Sequence, residues 1–235
     1  MIKLKVEPRA NTDTGSTPAK SPKAISKVGR FRRYTNLAAL IHLLQNRSIT
    51  LLNPANWDDK NDAHFMAEYK RLRRAETVLA ICFAEAAETY HHWRVFSSGA
   101  DGVCISFDKK RLLAAFDKTK GITKRKVRYE LVDTVAGWPE LKADDLPFLK
   151  RKPYEAESEY RVIYESQANF CEYFDVDIEL SWIKTITLSP WMPEVFKSAV
   201  TNTINSIDGC GNIEVLRSTL VGRASWKALA SKAVP

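Results

Sequence analysis

Apolar residues recur along this chain with two periods, and the points where the period changes mark its elements. Arg33-Tyr34-Thr35 reads as a short strand. Leu37, Leu40, Ile41 and Leu44 then share one helical face, which predicts a helix ending near Asn46. Ser48 to Leu52 has the length and composition of a strand, and Asn53 to Asp62 is an Asn-, Asp- and Pro-rich loop leading to a basic helix over Ala63 to Arg74. Val78 to Phe83 is continuously apolar, the signature of a strand covered on both faces. A helix over Glu88 to Ser97, a turn at Gly99 to Gly102 and a strand over Val103 to Phe107 follow. Asp108 caps the next helix, with Leu112, Leu113 and Phe116 inward.

The second half is less regular. Lys126 to Tyr129 suggests a strand, whereas Trp138 to Lys152 has no clear period and is the best candidate for an active-site loop or lid. Ser158 to Tyr164 alternates, with Tyr160, Val162 and Tyr164 on one face and Glu157, Glu159 and Arg161 on the other. A strand over Trp182 to Leu188 precedes a helix opened by Pro193, with Phe196, Ala199, Val200, Thr203, Ile204 and Ile207 on one stripe and Gly209 just past its end. Ile213 to Leu216 closes as a strand. Strands mixed irregularly with short helices predict an α+β fold: one domain over residues 30–235, with a central mixed or antiparallel sheet, or split sheets, flanked by short helices.

Composition narrows the class. With 235 residues, 45% of them hydrophobic and 27% charged, the chain can bury a core, which excludes disorder throughout. No apolar run approaches the roughly 18 residues of a membrane span. Met1 to Lys27 lacks the apolar region of a secretory leader, so a cytoplasmic location is expected. The net charge of +8 is concentrated in the leader, where residues 1–33 hold 9 Lys/Arg against 2 Asp/Glu. Residues 1–29 are therefore expected to form a solvated basic tail or an arm for nucleic acid or an acidic partner. Lys109 to Arg128 is strongly basic and Glu155 to Glu179 strongly acidic. Cys82, Cys104, Cys171 and Cys210 are too scattered for a disulfide framework and read as buried thiols without chemistry.

The chemistry concentrates on Glu157-Ser158-Glu159-Tyr160-Arg161, where a spacing of two on a strand puts both carboxylates and the guanidinium on one face. Two carboxylates held that close repel, and one tends to keep its proton, which suits acid–base work. The same pattern also fits a solvated strand face. Arg32 and Arg33 could hold a phosphate or simply end the basic tail. His91 and His92 project about 100° apart on a helix and cannot chelate one metal together. Trp93 reads either as packing or as a stacking surface. Asp58, Asp59, Asp62 and His64 match neither a zinc nor a calcium spacing, so no metal is expected. The glycine motifs of dinucleotide, phosphate-loop and hydrolase-elbow enzymes are missing.

Taken in order, RYTNLAALIHLLQNRSITLLNPANWDD (Arg33 to Asp59), the segments around Cys82-Phe83, Trp93 and Gly102-Val103-Cys104-Ile105, and YEAESEYRVIY (Tyr154 to Tyr164) resemble the bacterial domain-of-unknown-function family 2971. The layout is also similar to ADP-ribosyltransferases of the Arg–Ser–Glu type. That resemblance implies NAD as substrate, an ADP-ribosyltransferase-like fold, and a nucleic-acid or protein acceptor, as in a toxin or defence effector. It implies that Arg33 holds the NAD phosphates, with Tyr34, Thr35 and Trp93 also at the cofactor. Glu159 would stabilise the oxocarbenium-like transition state, and Glu157 would orient or deprotonate the acceptor. Ala84 stands where the middle hydroxyl of that layout would be, which leaves open a non-enzymatic binding module with a degenerate site.

Overall fold

The computed structural model describes residues 29–97 and 99–233. The basic leader lies outside the described residues apart from Gly29. Strand β1 (Arg30–Asn36) runs into helix α1 (Leu37–Asn46), whose first turn is closed by the Asn36 side chain accepting from the Ala39 amide at 2.9 Å. After β2 (Ser48–Leu52), helix α2 (Lys60–Arg73) starts three residues earlier than its apolar pattern predicts. Asp59 caps it, accepting from the Asn61 amide at 2.9 Å. Then come β3 (Thr77–Ala84), α3 (Tyr90–Phe96), β4 (Gly102–Asp108) and α4 (Lys109–Lys118), the last capped by Asp108 as expected.

Where the sequence suggests one strand over Lys126 to Tyr129, there are two short ones, β5 (Ile122–Lys126) and β6 (Arg128–Glu130). Between them Val127 is buried and its amide bonds to the Glu159 carbonyl at 2.9 Å, which breaks the run. The rest comprises α5 (Val132–Ala136), β7 (Leu149–Arg151), β8 (Glu159–Ser166), β9 (Tyr173–Asp177), β10 (Ile183–Leu188), α6 (Glu194–Ser206), β11 (Val215–Arg217) and a short α7 (Ala224–Lys227).

These strands form one mixed, mostly antiparallel sheet in the order β11-β10-β4-β1-β3-β2-β9, with β8 branching from β3 and β5 pairing with β8, while β6 and β7 pair separately. The fold is a single α+β domain with short helices flanking this sheet. One feature of the register shapes the molecule. β3 pairs with β8 along its whole length, from Thr77↔Ser166 to Ala84↔Glu159. Its other edge meets β1 at Arg32↔Ala84 and β2 at Leu52↔Ala80, so the sheet splays open beside Cys82 between those two contacts.

The main core joins Phe31, Phe83, Phe107 and Phe116 with Leu40 and Leu44 of α1. A second cluster packs Met66 and Tyr69 of α2 against Leu146, Phe148 and Ile163. Of the stretch from Trp138 to Lys152, Leu146, Phe148, Leu149 and Lys150 are buried, and Leu146 and Phe148 belong to the second cluster, so this end is a fixed wall and not a lid, with Lys150 lining the cleft. One expectation fails. On α6, Ile204 is buried but Phe196 is 56% exposed, so the inward stripe is narrower than the periodicity suggests.

Candidate active site

The opening in the sheet is where the site forms. A backbone carbonyl that loses its strand partner needs another donor. Arg33 of β1 supplies it, with Nη1 3.3 Å from the Cys82 oxygen. Burial pushes the Arg33 guanidinium below its ordinary value, while the Glu159 charge acts the other way. Its neighbour Arg32 bonds to the Ala86 carbonyl at 2.7 Å. Arg33, Tyr34, Thr35, Glu157 and Glu159 all line one cleft of about 310 Å³, despite more than a hundred residues between the first and last. Trp93 does not line it. Trp93 is fully buried, meets Tyr34 edge-on at 5.2 Å and donates from its indole to Glu88 at 2.6 Å, which makes it part of the wall behind Tyr34.

Glu157 and Glu159 reach the cleft by a route the alternation does not predict. The strand begins only at Glu159, while Glu157 ends a 3₁₀ turn over Lys152–Glu157. Ser158 between them takes φ 46°, a left-handed conformation that turns the chain by one peptide. Glu157 is therefore not on the strand face, yet the kink delivers both carboxylates to the same space.

Arg161 holds Glu159 bidentately, from Nε at 2.7 Å and Nη2 at 3.0 Å. It also donates to Asp62 at 2.8 Å and to the Pro147 carbonyl at 2.7 Å, and its guanidinium lies 4.7 Å from the Trp57 ring centroid. Lys150 reaches three carboxylates: Glu157 at 2.6 Å, Asp62 at 3.3 Å and Glu159 at 3.5 Å. Three carboxylates (Asp62, Glu157, Glu159) thus face three cations (Arg33, Lys150, Arg161).

On the other flank, the Glu157 carbonyl accepts from His92 Nε2 at 3.0 Å, so His92 Nδ1 is the acceptor for the Thr89 hydroxyl at 2.6 Å. Burial lowers the His92 imidazole and keeps it neutral, stacked on Tyr34 at 5.1 Å.

The two carboxylates are not equivalent. Burial alone would push Glu159 up, but the Arg161 charge and hydrogen bonds, with Lys150, outweigh it and hold the carboxyl down at about 2. Burial pushes Glu157 up, with Lys150 only partly opposing. One stays ionised and the other sits nearer to taking a proton, as acid–base division of labour requires. Because Glu159 is depressed, its stabilisation is present above its ordinary 4.5 and lost as pH falls towards 2. A shift of that size is about 3 kcal/mol. Urea unfolding at stepped pH should therefore show stability falling between pH 4.5 and 2. Glu159→Gln should flatten that fall, and an equally steep fall in the variant would place the acid-sensitive group elsewhere.

Several site residues carry no local signal. Asp62, in the first turn of α2, looks like a helix-start acid, and Lys150 looks like the polar end of the run Leu146 to Leu149. A lysine closing a run that is otherwise buried is the one hint the chain offers. Cys82 lines the cleft beside Glu159, and burial with the Glu159 charge pushes its thiol up and keeps it protonated. Ala84, two residues on, is buried against Tyr34 and Trp93.

Asp59 and Asp62, weighed as metal ligands, are engaged as a helix cap and an ion-pair partner. Among the described residues no group of three or more His, Cys, Asp or Glu is placed to hold a metal ion. No helix among them is long and apolar enough to cross a membrane. In the basic stretch Lys109 to Arg128, five of nine cations are paired with acids: Lys109 and Lys126 with Glu85, Lys124 with Asp117, Arg125 with Asp145 and Arg128 with Glu130. The stretch is not a free cationic face.

The fold and site define an α+β protein with a buried charge cluster at a split in its sheet. No protein-family model matches the chain. A search of curated proteins also finds no match. Among solved structures the chain is similar to Thermus sp. 2.9 DarT in complex with NAD+, with a TM-score of 0.42 and 7% identity, over 83% of this chain and 98% of that one.

Proposed function

We propose that this protein cleaves NAD and transfers ADP-ribose to a nucleic-acid or protein acceptor. The observation that carries the reading is the position of Arg33. It lies where the 310 Å³ cleft meets a larger groove of about 630 Å³, both being lined by Arg33, Thr35 and Asn36. A dinucleotide has two bulky halves joined by a doubly charged pyrophosphate. A guanidinium at the junction of two cavities, whose described hydrogen bond goes to a carbonyl and not a carboxylate, suits that pyrophosphate.

With the nicotinamide ribose in the smaller cleft, the glycosidic C–N bond breaks and its electron pair leaves with nicotinamide. Positive charge develops on the ribose, and the ionised Glu159 stabilises it. The acceptor then attacks the anomeric carbon and passes its proton to Glu157. The thiol of Cys82, which lines the same cleft as Glu159, would supply in this reading the orienting hydrogen bond that Ala84 cannot.

The alternative is a binding module with a degenerate site. It draws on the saturated Arg161 contacts and on Ala84, but the pairing of the basic stretch weakens it. The folded protein, incubated with NAD and with protein, DNA or RNA offered as acceptors, should release nicotinamide. No release with any of them, together with salt-sensitive nucleic-acid binding, would overturn the transferase reading in favour of the module.

A further inference from the structure

Lysine is among the side chains most expensive to bury, and a buried ion pair is weak evidence of stability, because well-packed apolar groups often do as well. Lys150 nevertheless sits with its side chain only 7% exposed, on the wall between the 310 Å³ cleft and a separate apolar pocket of about 290 Å³ lined by Phe65, Val132 and Leu149. Arg161 already compensates Asp62 and Glu159. Glu157 has no such partner: its other close contact is His91 Nε2 at 3.4 Å, on a side chain 44% exposed. The shortest of the Lys150 contacts goes to that one carboxylate.

We propose that Lys150 is the positioning residue of this site: its ammonium clamps Glu157 beside Glu159 and aims the Glu157 carboxyl group at the second substrate. That the second substrate is an ADP-ribose acceptor rests on the transferase reading; the clamp itself does not. The groups facing Glu157 agree with this role. From α3, His91 is a partial solvent-side contact and neutral His92 binds only the backbone carbonyl. From β8, Glu159 repels it, and from β6 the phenol of Tyr129 faces the same pair of carboxylates. From α2, Asp62 meets it through Lys150, and from β1, Arg33 acts on Glu159. Lys150 is the fixed cation that offsets repulsion between the two glutamates, and Tyr154 closes over it with its ring 4.9 Å from Nζ.

The test reads glutamate side-chain carboxyls by ¹³C NMR across pH, with the Glu157 signal identified by its loss in Glu157→Gln. Lys150→Met should raise the Glu157 midpoint by about 1–3 pH units. The Glu159 midpoint should stay low, because Arg161 remains, and Lys150→Arg should return most of the Glu157 shift. An unchanged Glu157 midpoint in folded Lys150→Met, or Lys150→Arg behaving like the methionine variant, overturns the proposal. Should Lys150→Met fail to fold, the reciprocal measurement decides. Acylation of the Lys150 amine, followed by mass spectrometry, should run about tenfold faster in Glu157→Gln than in wild type, as for one unit of lost pairing. Equal rates would overturn the clamp. Neither readout involves NAD, so absence of NAD cleavage would remove the transferase reading and leave this result standing.

Discussion

If the proposed transferase reading holds, Glu159→Gln should lower nicotinamide release about 1000-fold, the scale on which losing one preorganised charge or donor at a developing ion is felt. The change keeps the shape of the side chain and removes the negative charge that the proposed reaction places opposite the ribose. It also leaves Arg161 with one carboxylate, Asp62, where it had two, so the melting temperature should fall while the variant remains folded. Glu157→Gln should separate from it, with transfer to an acceptor lost and hydrolysis by water retained to a greater extent, because positioning matters less when the nucleophile is solvent. Both variants need a melt alongside the nicotinamide assay. If Glu159→Gln releases nicotinamide at the wild-type rate, the carboxylate does not serve the reaction, and the cluster is structural.

The largest effect on stability falls on Arg161. Its guanidinium is about 1% exposed and satisfies Glu159, Asp62 and the Pro147 carbonyl together. Arg161→Met fills the volume but leaves two buried carboxylates short of compensation, at a cost of about 3–5 kcal/mol. For a chain of this length that is roughly a 10 °C drop in melting temperature. The deficit should shrink in acid, because a carboxyl deprived of Arg161 takes up its proton at higher pH and the uncompensated charge disappears. Arg161→Lys should recover only part of the loss, since an ammonium cannot reproduce the two parallel bonds to Glu159. A methionine variant as stable as wild type at pH 7 would mean that water or a shifted Lys150 compensates the pair, and that the cluster is more open than its geometry indicates.

Local patterns carried much of the architecture. The α1 helix carried by Leu37, Leu40 and Leu44, the Asp108 cap of α4 and the apolar run of β3 depend on neighbours within a few residues, and each element stands where its pattern puts it. The pairing of Glu159 with Arg161 was equally legible, since a strand's period of two places them side by side whatever surrounds them. The Glu157 position was half legible: proximity to Glu159 could be read, but the left-handed Ser158 that replaces the strand there could not.

What tertiary structure alone decided was electrostatic and long-range. Asp62 is 99 residues from Arg161 and reads as an ordinary helix-start acid until β8 is laid beside α2. Lys150 reads as a loop residue until the second core buries the run before it. Arg33 reads as the end of a basic leader until β1 and β3 part and leave the Cys82 carbonyl without a strand partner. Periodicity records which face of an element is buried. It does not record which other element arrives at that face, and a charge acquires its state from the groups that arrive.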